Sequence, residues 1–162
     1  MATPGYITEI RRSYGQGLLL LPGVSAVVLR DDLVPGRRHL LLVRRADSGR
    51  WSLPAGIVEP GEQPAASIRR EVLEETRVHL RVDRLVLLTM DPELVYANGD
   101  HCQFVAMTFR CSYLGGDAEV GDEESTEVGW FGVDALPDGL SALQRRRIEV
   151  GLLDQEACLF DT

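Results

Sequence analysis

A chain of 162 residues, 44% hydrophobic and 26% charged, is long enough to bury a core of its own and needs neither disulfides nor a second domain to fold. Its 25 acidic against 17 basic side chains leave a net charge of -8, so its overall field repels bare nucleic-acid backbone, and a phosphate-bearing substrate has to be met by local cations or a metal. Cys102, Cys111 and Cys158 cannot all pair and match no zinc spacing, and the chain shows neither a signal-peptide pattern nor a membrane-length apolar run, which points to reduced thiols in the cytoplasm.

Tyr6, Ile10 and Tyr14 lie four apart, predicting a helix over residues 6–14 that docks an aromatic stripe on the rest of the chain or covers a second copy in a homodimer. Leu18 to Leu21 is a short apolar run that ends at Pro22-Gly23. Residues 24–29 and 39–44 read as strands of a hairpin whose long loop holds Asp31-Asp32 and Pro35-Gly36. Residues 51–56 read as one short edge strand, because Pro54 removes a ladder donor, and Glu59-Pro60-Gly61 turns the chain. A helix is expected over residues 64–77, with Pro64 in its first turn and Ile68 and Val72 on one face. Residues 81–89 return to strand, Asn98-Gly99 is a hairpin turn, residues 102–113 alternate as a long strand should, and residues 128–131 form a further short one. A last helix over residues 141–154 opens with Ser141 and Gln144 in capping-box positions and carries Ile148 and Leu152 on one face. Hairpins without a repeating βαβ unit predict an α+β fold, a mixed β-sheet sandwiched between helices.

The chemistry is concentrated in residues 56–78. At about 100° per residue, Glu71, Glu74 and Glu75 share one third of the helix circumference, beside the arc that holds Ile68, Val72 and Thr76. Like charges at such spacings cost roughly 0.2 to 0.5 kcal/mol per pair, and Arg70, four residues before Glu74, offsets only part of this. Hard divalent cations such as Mg²⁺ or Mn²⁺ suit the remainder, whereas the plain alternative is a solvated, salt-bridged helix face.

The same segment resembles the Nudix box: Gly, five residues, Glu, seven residues, Arg-Glu, an aliphatic, any residue, Glu-Glu, any residue, Gly, an aliphatic. Gly56, Glu62, Arg70, Glu71, Val72, Glu74, Glu75 and Val78 stand in register, and Arg77 replaces the family's Gly. With each of the six Gly, Glu and Arg positions used at roughly 7%, a chance match in one register is on the order of 10⁻⁷. Trp51-Ser52-Leu53-Pro54-Ala55-Gly56 resembles the approach to the box, and Glu127-Val128-Gly129-Trp130-Phe131 resembles the family's late strand, so the likeness spans residues 22–137. It implies a single Nudix hydrolase domain over residues 1–162: an N-terminal helical extension (1–21), the core (22–137) and a C-terminal helix and tail (138–162).

The resemblance implies a loop, a helix and a loop holding Mg²⁺ or Mn²⁺, and hydrolysis of a pyrophosphate bond that releases a nucleoside monophosphate. Glu74 and Glu75 would be the principal ligands, Glu71 a further ligand or the water-activating base, the Gly56 carbonyl a main-chain ligand, and Arg70 the residue that orients the carboxylates. Glu62 would fix the loop. Glu124, six residues before Trp130, would supply a distal ligand, or else belong to a solvated acidic run with Asp122 and Glu123. Arg44 and Arg45 are candidates for a substrate phosphate, or an exposed basic pair. Tyr96, eighteen residues after Val78, is a candidate substrate contact, and Trp51 and Trp130 either stack a base or pack the core. ADP-ribose, dinucleoside polyphosphates and canonical or oxidised nucleoside triphosphates all remain open as the small-molecule substrate, and so does a non-catalytic Nudix-fold module that senses a nucleotide. Duplex nucleic acid and membrane are not expected partners. At Arg77 the helix ends either in a strained left-handed residue or about one residue later.

Overall fold

In a computed structural model of the chain, the structure describes residues 5–96 and 98–160. Ala97, in the expected turn, lies outside them, as do residues 1–4 and 161–162 of the expected domain. The elements run α1 (Gly5–Tyr14), β1 (Leu19–Val34), β2 (Arg37–Arg45), β3 (Trp51–Ser52), β4 (Ala55–Ile57), α2 (Pro64–Thr76), β5 (His79–Met90), β6 (Leu94–Val95), β7 (His101–Gly115), β8 (Ser125–Gly132), α3 (Ala142–Leu152) and β9 (Leu159–Phe160). The strands join one mixed sheet in the order β3-β2-β1-β7-β5-β9, with β4 on β1, β6 on β7 and β8 on β2. The α+β class expected from the sequence is what forms.

Alternation along β1 divides the core. Val24, Ala26 and Val28 pack with Ile68 and Val72 of α2, whereas Val27 and Leu29 pack with Leu40, Leu42 and Ile148 of α3. The sheet is therefore sandwiched between α2 and α3. Several boundaries differ from the sequence reading. β1 is far longer than residues 24–29, because its parallel pairing with β7 from Leu19 to Leu29 outweighs the donor that Pro22 lacks. Asp31 and Asp32 stay in the strand, paired with Arg38 and Arg30, and only Pro35-Gly36 turns, with Gly36 at φ 76°. Residues 51–56 split into β3, which pairs with β2, and β4, which pairs with β1. On α1 Ile7 is buried and Tyr6 packs beside it, its hydroxyl reaching the Val58 carbonyl at 3.4 Å, while Ile10 and Tyr14 are exposed, so only the first residue of the expected stripe docks.

At the start of α3 the Ser141 hydroxyl accepts from the Gln144 N–H, but the Gln144 side chain accepts from the Leu53 N–H instead of closing the box. One turn later Arg147 donates to both Asp91 oxygens, at 2.8 and 2.6 Å, in a buried pair that ties α3 to the residue just past β5. Nothing local in sequence announces either contact.

Helix α2 ends as the first of the two expected alternatives. Arg77 has φ 60° and ψ 10° and is the one non-glycine with positive φ among the described residues; its N–H returns to the Leu73 carbonyl. Its guanidinium reaches the Gly121 carbonyl at 2.5 Å, so the side chain replacing the family's Gly clasps the loop before β8. Relief of left-handed strain, about 1 kcal/mol, is thereby set against loss of that bond, about 0.5 to 1.5 kcal/mol. Arg77→Gly is expected to leave thermal stability within about 0.5 kcal/mol of the original, and a shift above about 1 kcal/mol in thermal melts would contradict this balance.

Candidate active site

The loop before α2 and the first turns of the helix are built around one guanidinium. Arg70 donates to both Glu62 oxygens at 3.0 Å, stands 3.0 Å from Glu71 and 3.2 Å from Glu74, and reaches the Ile57 carbonyl at 3.4 Å. Glu62 in turn accepts from the Glu59 N–H at 3.3 Å, so the pair fastens the loop onto the helix. Arg70 holds the Glu62 carboxyl below its ordinary range, and its own pKa is pushed up chiefly by that bond.

Glu71 and Glu75 are buried on the face that meets β4. Gly56 is required by this approach: a Cβ there would overlap the Glu71 carboxylate. Burial raises the Glu71 pKa, against the opposing pull of Arg70. Glu75 is pushed up to about 8 by burial, then by the charges of Glu71 and Asp122, and the Ala55 N–H offsets only part of this. Its Oε2 is buried without a hydrogen-bond partner. Glu74, by contrast, is 54% exposed and turned to Arg70. The three carboxylates of the helix face are thus not equivalent, and among the described residues no three metal-ligating side chains converge as a ready cage.

The unpartnered oxygen gives a pH signature. The folded pKa of Glu75 lies above the unfolded value of 4.5, so its protonated form stabilises the metal-free fold below about pH 4.5, and that stabilisation is lost as pH rises toward about 8. In excess chelator, the melting temperature of Glu75→Gln minus that of the parent should therefore grow between pH 5 and 8. A pH-independent difference would contradict the assignment.

Around this pair the structure gathers some expected residues and not others. Arg45 binds Asp47 at 2.5 and 3.0 Å and lies in electrostatic range of both Glu75 and Tyr96; a shift in the β2–β8 register falls between Arg44 and Arg45, as bulges beside sites often do. Arg44 instead donates to Glu127 at 2.5 Å and to the Gly49 carbonyl at 2.9 Å. Trp51 packs edge-on against Phe131 in the α3-side core, and Trp130 against Tyr113 on the α2 side, so both rings belong to packing.

From the late loop, the charge of Asp122 reaches Glu75, beside the Glu124 expected as a distal ligand. Gly121 lets the loop approach, since a Cβ there would overlap the Glu74 carbonyl, and the Gly121 N–H donates to the Glu75 carbonyl at 2.9 Å. The Glu124 N–H donates to Asp122 Oδ1 at 2.9 Å and its carbonyl accepts from the Ala46 N–H at 2.7 Å. The signal that could have found Asp122 is its neighbour Gly121, a residue that permits close backbone contact.

The family model described as the NUDIX domain matches residues 19–150. The chain belongs to the Nudix family. It is 40% identical over 131 residues to a MutT-like protein of Streptomyces ambofaciens, spanning 81% of this chain and 73% of that one. It is 32% identical over 126 residues to an NAD-capped RNA hydrolase NudC of Chromobacterium violaceum, covering 75% of this chain but only 43% of that longer protein. The solved structure of an ADP-ribose pyrophosphatase from Streptococcus suis superposes with a TM-score of 0.64 at 23% identity, covering 88% of this chain and 98% of that one. This Nudix chain is accordingly a hydrolase of α+β fold, and no helix among its described residues is long and apolar enough to cross a membrane.

Proposed function

We propose that the chain hydrolyses the pyrophosphate bond of a nucleoside diphosphate derivative and releases a nucleoside monophosphate. The observation that carries this reading is the buried Glu75 carboxylate, with one oxygen unpartnered, beside Glu71 and within range of Asp122. A buried acid in that state is costly unless a proton or a cation meets it. Its donor set, hard carboxylate oxygens against a glycine backbone, fits Mg²⁺ or Mn²⁺. Glu71, Glu75 and the Gly56 carbonyl would hold the ion, Glu74 joining on exchanging Arg70 for it. Bound divalent cations supply charge neutralisation at the phosphates and a lowered pKa for bound water.

The chain's own groups do the rest. Arg70 fixes Glu71 and the loop through Glu62, so the carboxylates keep their register. Whichever of Glu71 and Glu75 is not engaged by the ion takes the proton of the attacking water. Arg45 and Tyr96 meet the substrate, Arg45 offering its charge to a phosphate. Arg44 and Arg45 are each paired with an acid, Glu127 and Asp47, and Arg45 is favoured because it lies in electrostatic range of Glu75. For the distal ligand we favour Asp122 over Glu124.

The named relatives differ in substrate, NAD-capped RNA in one and ADP-ribose in another, so the reading stops at the shared pyrophosphate. The test is a panel of ADP-ribose, dinucleoside polyphosphates, NADH and canonical and oxidised nucleoside triphosphates, scored for monophosphate release with Mg²⁺ or Mn²⁺. At least one should be cleaved, and Asp122→Asn should raise the half-saturating metal concentration more than Glu124→Gln does. Release from none would overturn the reading, and the opposite order of the two variants would reinstate Glu124. A homodimer is supported by the exposed apolar side chains of Leu20, Leu88, Met90 and Phe160, and a monomeric mass in solution would remove it. Three free thiols support a reducing cytoplasmic location, which cell fractionation tests.

A further inference from the structure

Helix α1 lies before the segment the family model matches, yet its one well-buried guanidinium is given to the hairpin that carries Tyr96. Arg11, with a side chain 12% exposed, donates through Nη1 to the Gly15 and Gly17 carbonyls at 2.9 and 2.5 Å. Through Nη2 it donates to the His101 carbonyl at 2.8 Å and meets Cys102 Sγ at 3.5 Å. Its Nε stands 3.1 Å from Asp100 Oδ1, an ion pair by distance although the N–H is not aimed along it. Gln16 adds a bond to the Asn98 carbonyl at 3.2 Å and closes over Gly99, which sits at φ 84°.

Within the hairpin the same residue that Arg11 holds is the one that holds Tyr96. The Tyr96 N–H donates to the Asp100 carbonyl at 2.9 Å, the Gly99 N–H returns to the Tyr96 carbonyl at 2.9 Å, and the Asp100 N–H donates to Asn98 Oδ1 at 3.0 Å. Arg45 is in electrostatic range of both Tyr96 and Glu75.

We propose that Arg11 is a positioning residue for the reaction: it clamps Asp100 and the His101 carbonyl so that Tyr96 is presented to the substrate. This rests on the reading that Arg45 and Tyr96 contact substrate. Burying a guanidinium carries a desolvation cost that apolar packing would avoid, and fixing one geometry of the hairpin is what the arrangement gains in return. Ile7 already anchors α1 by apolar contact.

The test uses the full chain with Arg11→Ala, Arg11→Lys and Asp100→Asn. Each should raise KM for the cleaved nucleotide, by about tenfold for Arg11→Ala, with kcat within about twofold and half-saturating Mg²⁺ unchanged. Tyr96→Ala should raise KM comparably, and adding Arg11→Ala to it should have little further effect, since both remove one contact. In substrate-free protein, amide exchange over residues 94–102 should accelerate in Arg11→Ala while that of α2 does not. Unchanged hairpin exchange, additive KM effects, or a lowered melting temperature with unchanged KM would each overturn the proposal. Failure of the hydrolytic reading shows separately, as monophosphate release from no substrate of the panel, and the exchange measurement then still decides whether Arg11 sets the hairpin.

Discussion

Glu75→Gln is expected to lower kcat by at least about 10²-fold while the protein melts at or above the parent temperature in chelator, because an uncharged amide of nearly the same shape replaces a carboxyl whose ionised form burial disfavours. Ordinarily the loss of a catalytic group and the loss of a fold are hard to separate. Here they are expected to move in opposite directions: the unpartnered Oε2 is a cost in the metal-free fold and a ligand in the loaded one. Glu71→Gln should be milder for stability and comparable for rate, since Arg70 already compensates its charge at 3.0 Å. Wild-type kcat in both variants would remove Glu71 and Glu75 from the catalytic machinery.

Gly56→Ala is the second large effect. The added methyl would overlap the Glu71 carboxylate, which Arg70 and the loop hold in place, so either Glu71 swings away or β4 withdraws from α2. Displacement of a catalytic group by about 1 Å is worth on the order of 10² in rate, and kcat should fall by that amount. Gly36→Ala, at an exposed turn with φ 76°, serves as a control for glycine loss as such: it should cost stability without touching kcat. Equal kinetics for Gly56→Ala and the parent would mean that Glu71 does not need its present place.

What the sequence made legible was local. The box residues are related by the helix period and one loop, so Gly56, Glu62, Arg70, Glu71 and Glu75 could be assigned neighbours before any coordinates, and the left-handed Arg77 followed from the position where the family keeps glycine. Hidden were contacts between distant segments. Asp91 and Arg147 are 56 residues apart, and Arg11 and His101 are 90 apart, with no periodicity to link them. Glu74 and Glu75 look alike in sequence; only the positions of Arg70 and β4 make one exposed and paired and the other buried and raised. Counting residues to Trp130 picks out Glu124 in the late loop, but the approach of Gly121 to the end of α2, which sets that loop's path, has no signal in the spacing. Strand β9 was missed because Leu159 and Phe160 gain their order from β5, seventy residues earlier, and carry no strand pattern of their own.

The central claim is that cleavage depends on cations held by the carboxylates of α2, and the most direct test is turnover of the best panel substrate during titration with a chelator. Monophosphate release should fall to background in excess EDTA, return on adding Mg²⁺ or Mn²⁺, and remain at least about 10²-fold lower in Glu75→Gln at saturating metal. Full turnover in excess EDTA by the wild-type chain would contradict it.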